Sequence, residues 1–430
     1  MKTKLVLILI VLLAVAHLAL VIPTILHPER FRVIDSDGYI ELSSNLLKTG
    51  RYTGILFPGS DMYRPPVYPL FLALATVVFS DVRWASFLQI LLTFVNCALL
   101  YRIALDLKSK PAGYAAIVIY LLSLNAAFEA LNIMTETLTS FWLLLGLWAL
   151  LRFWLTDRKR WLLLSGTALG LGALTRPILY PLFFIWIVFL VVSWTWRQKK
   201  IVFQKETLRK LTAFAAGGLL LTLLWAARNA VVNHEFTISN VGGMTLRSYI
   251  IAGSVGNFNH ISRNDAVALI AATPDPNAFM IEFIKEHPAA FVTDQVRGII
   301  LTVLSVNYPT WAYALTGIRP ASTGVVVNLS FDVSKLFDQI RTGNLWILGG
   351  MAAVLYDLLL YGLGIYASLR IFTRQHGKTV FVLTLLILIT LVYMIVTPLA
   401  QGSGRFRIPV EPVLALLAGL SFYIPGPKEY

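Results

Sequence analysis

Long apolar runs alternate with short polar turns along the chain, and the length of the runs predicts helices that span a bilayer. The first run, Leu5 to Leu26, follows Lys2 and Lys4 and has roughly the 20 residues that a hydrocarbon core about 30 Å thick requires. Its length and the lack of an Ala-x-Ala site before Pro23 favour a retained helix over a cleaved signal peptide. The same rule predicts further spans, for a total of about ten, at 84–105, 112–125, 138–155, 162–175, 178–196, 213–232, 345–369, 380–399 and 408–424.

Clusters of lysine and arginine give these spans a direction. They recur in every second loop and place those loops in the cytoplasm, because cytoplasmic loops carry an excess of basic residues. Both termini are then cytoplasmic, and the segment that follows the first span lies outside. The basic clusters fall at 2–4, 102–110, 158–160, 197–210 and 370–378.

Composition defines the class of protein. Of the 430 residues 57% are apolar and only 13% are charged, which is more apolar surface than a soluble core can hide. We therefore predict an all-α polytopic membrane protein. Its net charge of +14 is interpreted as charge on cytoplasmic loops and attraction to anionic lipid, not nucleic-acid binding, because no basic stripe is interleaved with stacking aromatics. The single cysteine, Cys97, excludes an intramolecular disulfide and a thiolate metal cluster.

The apolar pattern also predicts a division into domains. We expect an N-terminal transmembrane module at 1–232 with a functional first outer loop at 27–83, an extracytoplasmic loop region or small cap at 233–344, and C-terminal transmembrane helices at 345–430. Within the cap, helices are expected at 264–272 and 277–306. No internal repeat is evident, which argues against an inverted-repeat transporter.

The first outer loop is the most polar early part of the chain. Its residues 37–47 alternate at helical spacing and end at Gly50, which predicts an amphipathic helix on the membrane surface. Arg64-Pro65-Pro66 precedes an apolar run at 67–79 that is too short to span, so an interfacial or re-entrant helix is expected there.

Charged residues collect in the outer turns. A charge at membrane depth costs a few kcal/mol unless it is paired or hydrated, so each is a candidate functional residue. The alternative is that each is an interfacial snorkelling side chain or an ion pair that holds loops together. The set comprises Asp35, Asp37, Glu136, Arg64, Arg176, Arg228, Arg405 and Arg407.

Carboxylates and guanidiniums side by side suit the transfer of a sugar from a lipid phosphate. Cleavage of a sugar–phosphate bond develops oxocarbenium-like charge on the sugar and negative charge on the departing phosphate. Guanidiniums stabilise phosphate two donors at a time. Because phosphate already leaves well, one carboxylate suffices, as base for the acceptor hydroxyl or amine.

Six motifs in order resemble the polytopic glycosyltransferases of the C superfamily, most of all the branch of protein O-mannosyltransferases and lipid A aminoarabinose transferases. The motifs are DSDGYIELSSNLLKTGRY, YRPPVYPLFLAL, MTETLTSFWLLL, GLGALTRPILYP, LLWAARN and GRFRIPVEPVLALLAG. The resemblance implies an integral-membrane enzyme that uses a polyprenyl-phosphate sugar and acts on the extracytoplasmic side of the cell inner membrane, with inversion.

The resemblance also assigns roles to residues. The family has an Asp-Glu pair ahead of a tyrosine, and here Asp35 takes the Asp position, Ser36 replaces the Glu, and Tyr39 is in step. Because of that replacement Asp37 competes with Asp35 as catalytic base. The family's phosphate-binding cation corresponds to Arg64, its second acidic residue to Glu136, and the basic residue before its final span to Arg405. The remaining candidates are Arg176, Arg228 and Arg407 for the donor phosphate, and Tyr39, Tyr63 and Tyr68 for the substrate pocket.

Metal dependence is open at this stage. Some C-superfamily enzymes use a divalent cation and others do without one. Asp35 and Asp37 form a D-x-D pair, but no histidine lies close to Asp35 or Glu136, so no metal ligand is assigned. The pair is also explained as a helix N-cap, which Asp37 fits well.

Two other classes of function stay open. A lipid or solute transporter without sugar transfer predicts ionic residues buried in the spans, where we expect only polar ones, Gln89, Asn96 and Asn132. The third hypothesis is a noncatalytic assembly subunit. The sequence does not identify the sugar, or whether the acceptor is lipid, glycan or protein.

Overall fold

The computed structural model describes residues 2–54, 60–198, 205–318, 326–327, 330–331, 341, 343, 346–373 and 377–423. The last residue of the predicted span at 408–424 and parts of the predicted cap lie outside this range. The described fold is almost entirely helical, which confirms the predicted all-α class. Its only strands are a two-residue antiparallel pair, Val326–Val327 with Ser330–Phe331.

The α-helices of the described residues are numbered here α1 to α21. In chain order they are Lys2–Ala19, Val21–Leu26, Ile34–Thr49, Ser60–Tyr63, Val67–Phe79, Ala85–Asp106, Lys110–Leu122, Leu124–Glu129, Glu136–Thr156, Lys159–Ala173, Leu179–Gln198, Lys205–Asn233, Val241–Thr245, Ala252–Asn259, Arg263–Ala271, Pro276–Glu286, Pro288–Leu304, Tyr308–Thr316, Trp346–Thr373, Lys378–Val396 and Glu411–Gly419. A six-residue π-helix, Leu246–Ile251, joins α13 to α14.

Seven helical segments among the described residues are long and apolar enough to cross a membrane, and an eighth is obtained if the bent pair α17 and α18, which meet at 48°, forms one span. The predicted spans at 112–125, 162–175 and 408–424 correspond to shorter helices of 13, 15 and 9 residues. The polytopic architecture is confirmed, and the count of ten stays a prediction. The seven segments are Thr3–Leu26, Val82–Asp106, Glu136–Thr156, Leu179–Trp196, Lys205–Asn233, Trp346–Thr373 and Lys378–Val396.

The chain forms two compact units. The first contains the described residues of Met1–Ile238, Leu355–Tyr393 and Ile408–Tyr430, and the second those of Ser239–Val354 and Met394–Arg407. The C-terminal helices thus pack in one unit with the N-terminal module instead of forming a separate third part. Residues 394–407, which begin in the last turn of α20 and continue beyond it, belong to the second unit.

Small residues allow close helix packing in the first unit. Helices α10 and α12 approach at Gly170 and Gly218, where a Cβ atom added to Gly170 would lie 2.5 Å from the Gly218 carbonyl oxygen. Apolar helices gain no hydrophobic free energy by associating within lipid, so contact of this kind supplies van der Waals energy instead. A larger residue at either position would force the two helices apart.

One buried ionic residue contradicts the expectation of spans without charges. Asp357 lies within α19 and is fully buried, and the Asn125 side-chain amide donates to its Oδ2 at 3.4 Å. Glu411, at the first position of α21, is also buried and accepts a hydrogen bond from the Ser123 hydroxyl. Intramembrane carboxylates are expensive, and here each has a polar partner on a neighbouring helix.

The amphipathic helix of the first outer loop begins three residues earlier than predicted. Helix α3 starts at Ile34, and the Ser36 hydroxyl accepts a hydrogen bond at 3.0 Å from the backbone N–H of Val33, the N-cap residue. The interpretation of Asp37 as the N-cap is therefore wrong, because both acidic residues lie inside the first turn. The helix ends as predicted at Gly50, whose φ of 68° is left-handed.

Pro288 divides the long helix expected at 277–306. Proline disfavours helical geometry in the residue before it, and His287 has φ −124° and ψ 50°, which separates α16 from α17. The core of the second unit forms where these helices meet α14 and α15. Its buried apolar residues include Val255, Ile270, Met280 and Phe283.

Candidate active site

The first turn of α3 places a carboxylate beside a buried arginine. Arg64 Nη2 lies 3.5 Å from Asp35 Oδ1, and the Asp35 side chain is 41% exposed whereas that of Arg64 is 3% exposed. At 3.5 Å the contact is an ion pair and at best a weak hydrogen bond. Asp35 is thus held near a cation while its carboxylate stays open to a substrate.

Aromatic rings and a glycine enclose the Arg64 guanidinium. Its carbon lies 4.9 Å from the centre of the Tyr39 ring and 5.1 Å from that of Tyr63, within cation–π range. A Cβ atom on Gly38 would lie 2.7 Å from the same guanidinium carbon, so any larger residue would have to displace the guanidinium. The Tyr52 hydroxyl donates to the Arg64 carbonyl at 2.7 Å and holds the backbone.

A second ion pair joins Glu136 to Arg176. Arg176 Nη1 lies 2.7 Å from Glu136 Oε1, with Glu136 fully buried and the Arg176 side chain 14% exposed. Glu136 is the first residue of α9, where the positive end of the helix dipole favours a carboxylate. Removal of either partner would leave an uncompensated charge in a buried place.

Tyr39 connects the two pairs. Burial raises the pKa of Tyr39 above its usual value. Arg64 lowers this pKa and Asp35 raises it. Arg176 lowers it and Glu136 raises it, both by smaller amounts. The charges of both pairs therefore reach the Tyr39 hydroxyl. Asp35, Arg64, Glu136 and Arg176 accordingly form one electrostatic group around this tyrosine.

Hydrogen bonds between loops hold the group together. The Ser36 hydroxyl donates to the Ile133 carbonyl at 2.9 Å, which ties α3 to the loop before Glu136. The Val67 N–H donates to the Leu174 carbonyl at 3.0 Å, which ties the start of α5 to the turn before Arg176. Ser36, which stands where the family has Glu, is fully buried and makes a structural contact.

Tyr68, which was predicted to line the substrate pocket, is fully buried and is fixed by its neighbours. Its ring packs edge-on against Tyr39 at 5.0 Å, and its hydroxyl donates to Gln89 Oε1 at 2.7 Å. The Gln89 amide donates in turn to the carbonyls of Ala130 and Asn132 at 2.8 and 2.7 Å. The Tyr68 ring is therefore fixed to α6, which is itself hydrogen-bonded to the loop between α8 and α9.

Asp37 is exposed and lies away from this group. Two residues that are two positions apart on a helix do not face each other, so Asp35 and Asp37 do not converge on one ion. The part of the chain that the structure describes holds no group of three or more His, Cys, Asp or Glu side chains arranged for a metal. This donor set does not fit a D-x-D metal site.

The other predicted phosphate-binding arginines differ in their surroundings. The Arg228 guanidinium carbon lies 5.0 Å from the Trp225 ring centre and 5.9 Å from that of Tyr52, so one aromatic ring separates it from the Arg64 backbone. Arg405, which is half-buried, and Arg407 belong to the second unit.

Arg407 is fully buried there, and its Nη1 donates to the carbonyls of Thr302, at 3.2 Å, and Val303. These carbonyls lie in the last turn of α17, where a cation is favoured. Its guanidinium is thus engaged in holding a helix end.

Sequence reasoning missed three residues of the site. Gly38 had a recognisable signal, since a glycine inside a helical pattern costs up to about 1 kcal/mol and usually has a packing reason. Tyr52 had none, because its ring contacts Arg228 and Trp225, which lie far from it in the sequence. Trp225 had a local signal, since it lies three positions before Arg228 on α12, and residues at this spacing are neighbours on a helix.

Comparison with known proteins agrees with this architecture. The family model described as dolichyl-phosphate-mannose-protein mannosyltransferase matches residues 63–235, a range that includes Arg64, Glu136, Arg176 and Arg228. No curated protein matches the chain in sequence.

Two solved structures of one enzyme show the same fold. The oligosaccharyltransferase of Archaeoglobus fulgidus in its apo form has a TM-score of 0.53 at 15% identity, over 97% of this chain and 50% of that one. The same enzyme tethered to an acceptor peptide with an NVT sequon has a TM-score of 0.51 at 14% identity, over 98% and 49%. ArnT from Cupriavidus metallidurans, bound to undecaprenyl phosphate, has a TM-score of 0.39 at 13% identity, over 98% and 77%.

The chain therefore has the fold of this oligosaccharyltransferase, and it spans about half the length of that enzyme. The family match covers the middle of the first unit. The resemblance to this superfamily, predicted from the order of the motifs, is confirmed.

Proposed function

We propose that the protein is an integral-membrane glycosyltransferase that moves a sugar from a polyprenyl-phosphate donor to an acceptor. The observation that carries this proposal is the accessible Asp35 carboxylate, which lies 3.5 Å from the buried Arg64 guanidinium. The family match and the fold support the same class of reaction.

Arg64 binds the donor phosphate in this mechanism. Its guanidinium is preorganised between Tyr39 and Tyr63, so little side-chain freedom is lost when phosphate arrives. As the bond between the anomeric carbon and the phosphate oxygen breaks, the negative charge on the phosphate grows, and two parallel N–H donors stabilise it. The interaction is stronger in the transition state than in the bound donor, as catalysis requires.

Asp35 acts as the base. It accepts the proton of the acceptor hydroxyl or amine while that atom attacks the anomeric carbon, and polyprenyl phosphate departs from the opposite face. One direct displacement of this kind inverts the anomeric centre. An exposed carboxylate within reach of the phosphate-binding cation suits this step, because acceptor and donor must meet between the two groups.

Glu136 and Arg176 position the reacting groups. Because their charges are paired at 2.7 Å, Arg176 has less capacity for phosphate than Arg64, and the pair sets the electrostatic surroundings of Tyr39. Arg228, beside Tyr52, extends the cationic surface toward the donor. The basic loops 102–110 and 158–160 support a cytoplasmic N-terminus, and the proposed site is then at the extracytoplasmic face of the cell inner membrane.

The test is transfer by purified Asp35→Asn with a polyprenyl-phosphate sugar. Loss of a general base lowers turnover by roughly 10²- to 10⁴-fold. Glu29→Gln is the matched control, since Glu29 is an exposed carboxylate, 65% accessible, in the same outer segment. Transfer by Asp35→Asn at the wild-type rate would refute the assigned base, and loss in Asp37→Asn alone would move the role to Asp37.

A transporter is the second candidate, favoured by the buried Asp357 in α19. It predicts that Asp357→Asn abolishes uptake or flipping in proteoliposomes while no sugar linkage is broken. Turnover of the sugar–phosphate bond by the wild-type protein decides for the glycosyltransferase.

A further inference from the structure

The second unit contains a polar cavity of about 230 Å³ that the proposed reaction does not use. Its lining includes Tyr249, Arg263, Asp294 and Arg297, which come from three helical segments of this unit. The volume is below the roughly 300–1,000 Å³ of pockets for drug-sized ligands, so it suits a small polar group and not an extended chain.

One wall of the cavity is a rigid hydrogen-bonded network. Asp294 is 8% exposed and accepts from the Ser254 hydroxyl at 3.0 Å and from the Asn257 amide at 2.5 Å. Gln295 donates to Ser254 Oγ at 3.0 Å and accepts from the Ala400 N–H at 3.0 Å. Each carboxylate oxygen of Asp294 thus already has a donor from the wall itself.

Two guanidiniums face this wall with no carboxylate of their own. Arg297 is half-buried, lines the cavity and has no salt bridge within the described ranges. Arg263 is exposed, lines the cavity, and has its guanidinium carbon 4.3 Å from the centre of the Tyr249 ring. The cavity lining therefore carries two positive charges, on Arg263 and Arg297, and one negative charge, on Asp294, whose oxygens already accept hydrogen bonds. This net positive charge attracts an anion.

The helix that carries Tyr249 supplies an independent sign of function. Tyr249 lies in the π-helix Leu246–Ile251, and wide turns of this kind are rare and occur frequently at functional sites. The wide turn brings the ring into the cavity lining, where it stacks with Arg263. The cavity is therefore formed by a π-helical turn on one side and by the hydrogen-bonded network around Asp294 on the other.

We propose that this cavity binds a phosphate group of the acceptor, with Arg297 and Arg263 as its ligands. Calling the ligand an acceptor rests on the proposed glycosyltransferase function. The binding of phosphate itself does not, because it needs neither the donor nor Asp35. The acceptor class that follows is a phosphorylated saccharide or a phosphate-bearing lipid headgroup.

The experiment measures binding, without donor, to the full-length protein in phosphatidylcholine nanodiscs by titration calorimetry. Glucose 6-phosphate is the probe, with glucose and inorganic phosphate in parallel titrations. We expect saturable binding of glucose 6-phosphate and no binding of glucose. Arg297→Gln should weaken the affinity roughly ten-fold or more, the usual effect of losing a charge-assisted contact. Arg263→Gln is a second variant for the same effect.

Arg247→Gln is the matched control. Arg247 is an exposed arginine of the same unit whose guanidinium bonds Asn277 Oδ1 at 3.1 Å and does not line the cavity. Equal unfolding midpoints for the wild type and all variants show that the fold is intact. The proposal is overturned if glucose 6-phosphate does not saturate, or if Arg297→Gln and Arg263→Gln bind it as the wild type does.

Two further arms identify the source of the phosphate. Weaker glucose 6-phosphate binding in phosphatidylglycerol nanodiscs supports a lipid headgroup, and unchanged binding supports a soluble or glycan phosphate. Because no sugar is transferred in these measurements, a failure of transfer would refute the proposed function and leave the phosphate site intact.

Discussion

The Arg64 guanidinium fills the space that Gly38 leaves on the face of its helix. A Cβ atom at position 38 would come within 2.7 Å of both the guanidinium carbon and Nη1, and real Cβ contacts are not this short. Asp35 lies one turn earlier on the same helix, 3.5 Å from Arg64 Nη2. The glycine thus sets how closely the cation approaches the carboxylate.

Gly38→Ala should lower transfer without unfolding the protein. The added methyl displaces the guanidinium from Asp35, and a displacement of about 1 Å at reacting groups can cost on the order of 10²-fold in rate. Steady-state kcat/KM with a polyprenyl-phosphate sugar measures this effect. The control is Gly362→Ala, at a helix position where an added Cβ meets nothing within 4 Å. Equal loss in both variants would show that the space beside Arg64 is unimportant.

Arg64→Lys should raise KM for the donor while the charge is kept. Lysine is a point charge without the two parallel donors of guanidinium, and its stem does not stack between Tyr39 and Tyr63 as a planar group does. The loss of one charge-assisted contact, about 1.5–3 kcal/mol, corresponds to at least roughly ten-fold in kcat/KM. Donor titrations at saturating acceptor measure it. An unchanged KM for Arg64→Lys would argue against a phosphate at this position.

The site was predictable to the extent that its chemistry was local in sequence. Asp35 and Tyr39 share one helix, and the Arg-Pro-Pro and Thr-Glu motifs mark Arg64 and Glu136 at the starts of α5 and α9. The sequence did not predict that Arg64 pairs with Asp35 and that Arg176 pairs with Glu136. The pairing depends on contacts such as that of Val67 with Leu174, which no short-range pattern encodes.

The fold was predictable in class and less so in detail. Run length identified the membrane helices, because a bilayer imposes a minimum number of apolar residues. Helix boundaries depended on single interactions, such as the Ser36 hydroxyl at the start of α3 and Pro288 between α16 and α17. Asp357 was readable within the predicted span at 345–369, but its contact with Asn125 was not, because that contact is a property of the assembled helices.

Glu136→Gln should destabilise the protein by about 3–5 kcal/mol, the usual effect of breaking a buried ion pair by removing one charge. The pair is 2.7 Å apart, with Glu136 fully buried and Arg176 14% exposed, so solvent screens it little. The double variant Glu136→Leu, Arg176→Met should recover most of the stability, because it leaves no unpaired charge. Unfolding midpoints in one detergent at one scan rate make the comparison.

Transfer activity distinguishes the role of this pair. If the Glu136–Arg176 pair positions Tyr39 and the donor, the double variant should be stable but should transfer sugar more slowly than the wild type. If the double variant is stable and has the kcat/KM of the wild type, the pair stabilises the fold and has no part in transfer.

Tyr39→Phe should make stability less sensitive to high pH. Burial raises the pKa of Tyr39, so the folded protein holds this proton more tightly than the unfolded chain, whose tyrosines titrate at about pH 10. The contribution is fully present below that value and is lost as the pH rises through the raised pKa of the folded state. Unfolding midpoints of the wild type should therefore fall more steeply above about pH 10 than those of Tyr39→Phe. Tyr249→Phe, at a half-buried tyrosine outside the membrane-crossing segments, is the control, and a wild-type slope for Tyr39→Phe would show that Tyr39 stays hydrated in the folded protein.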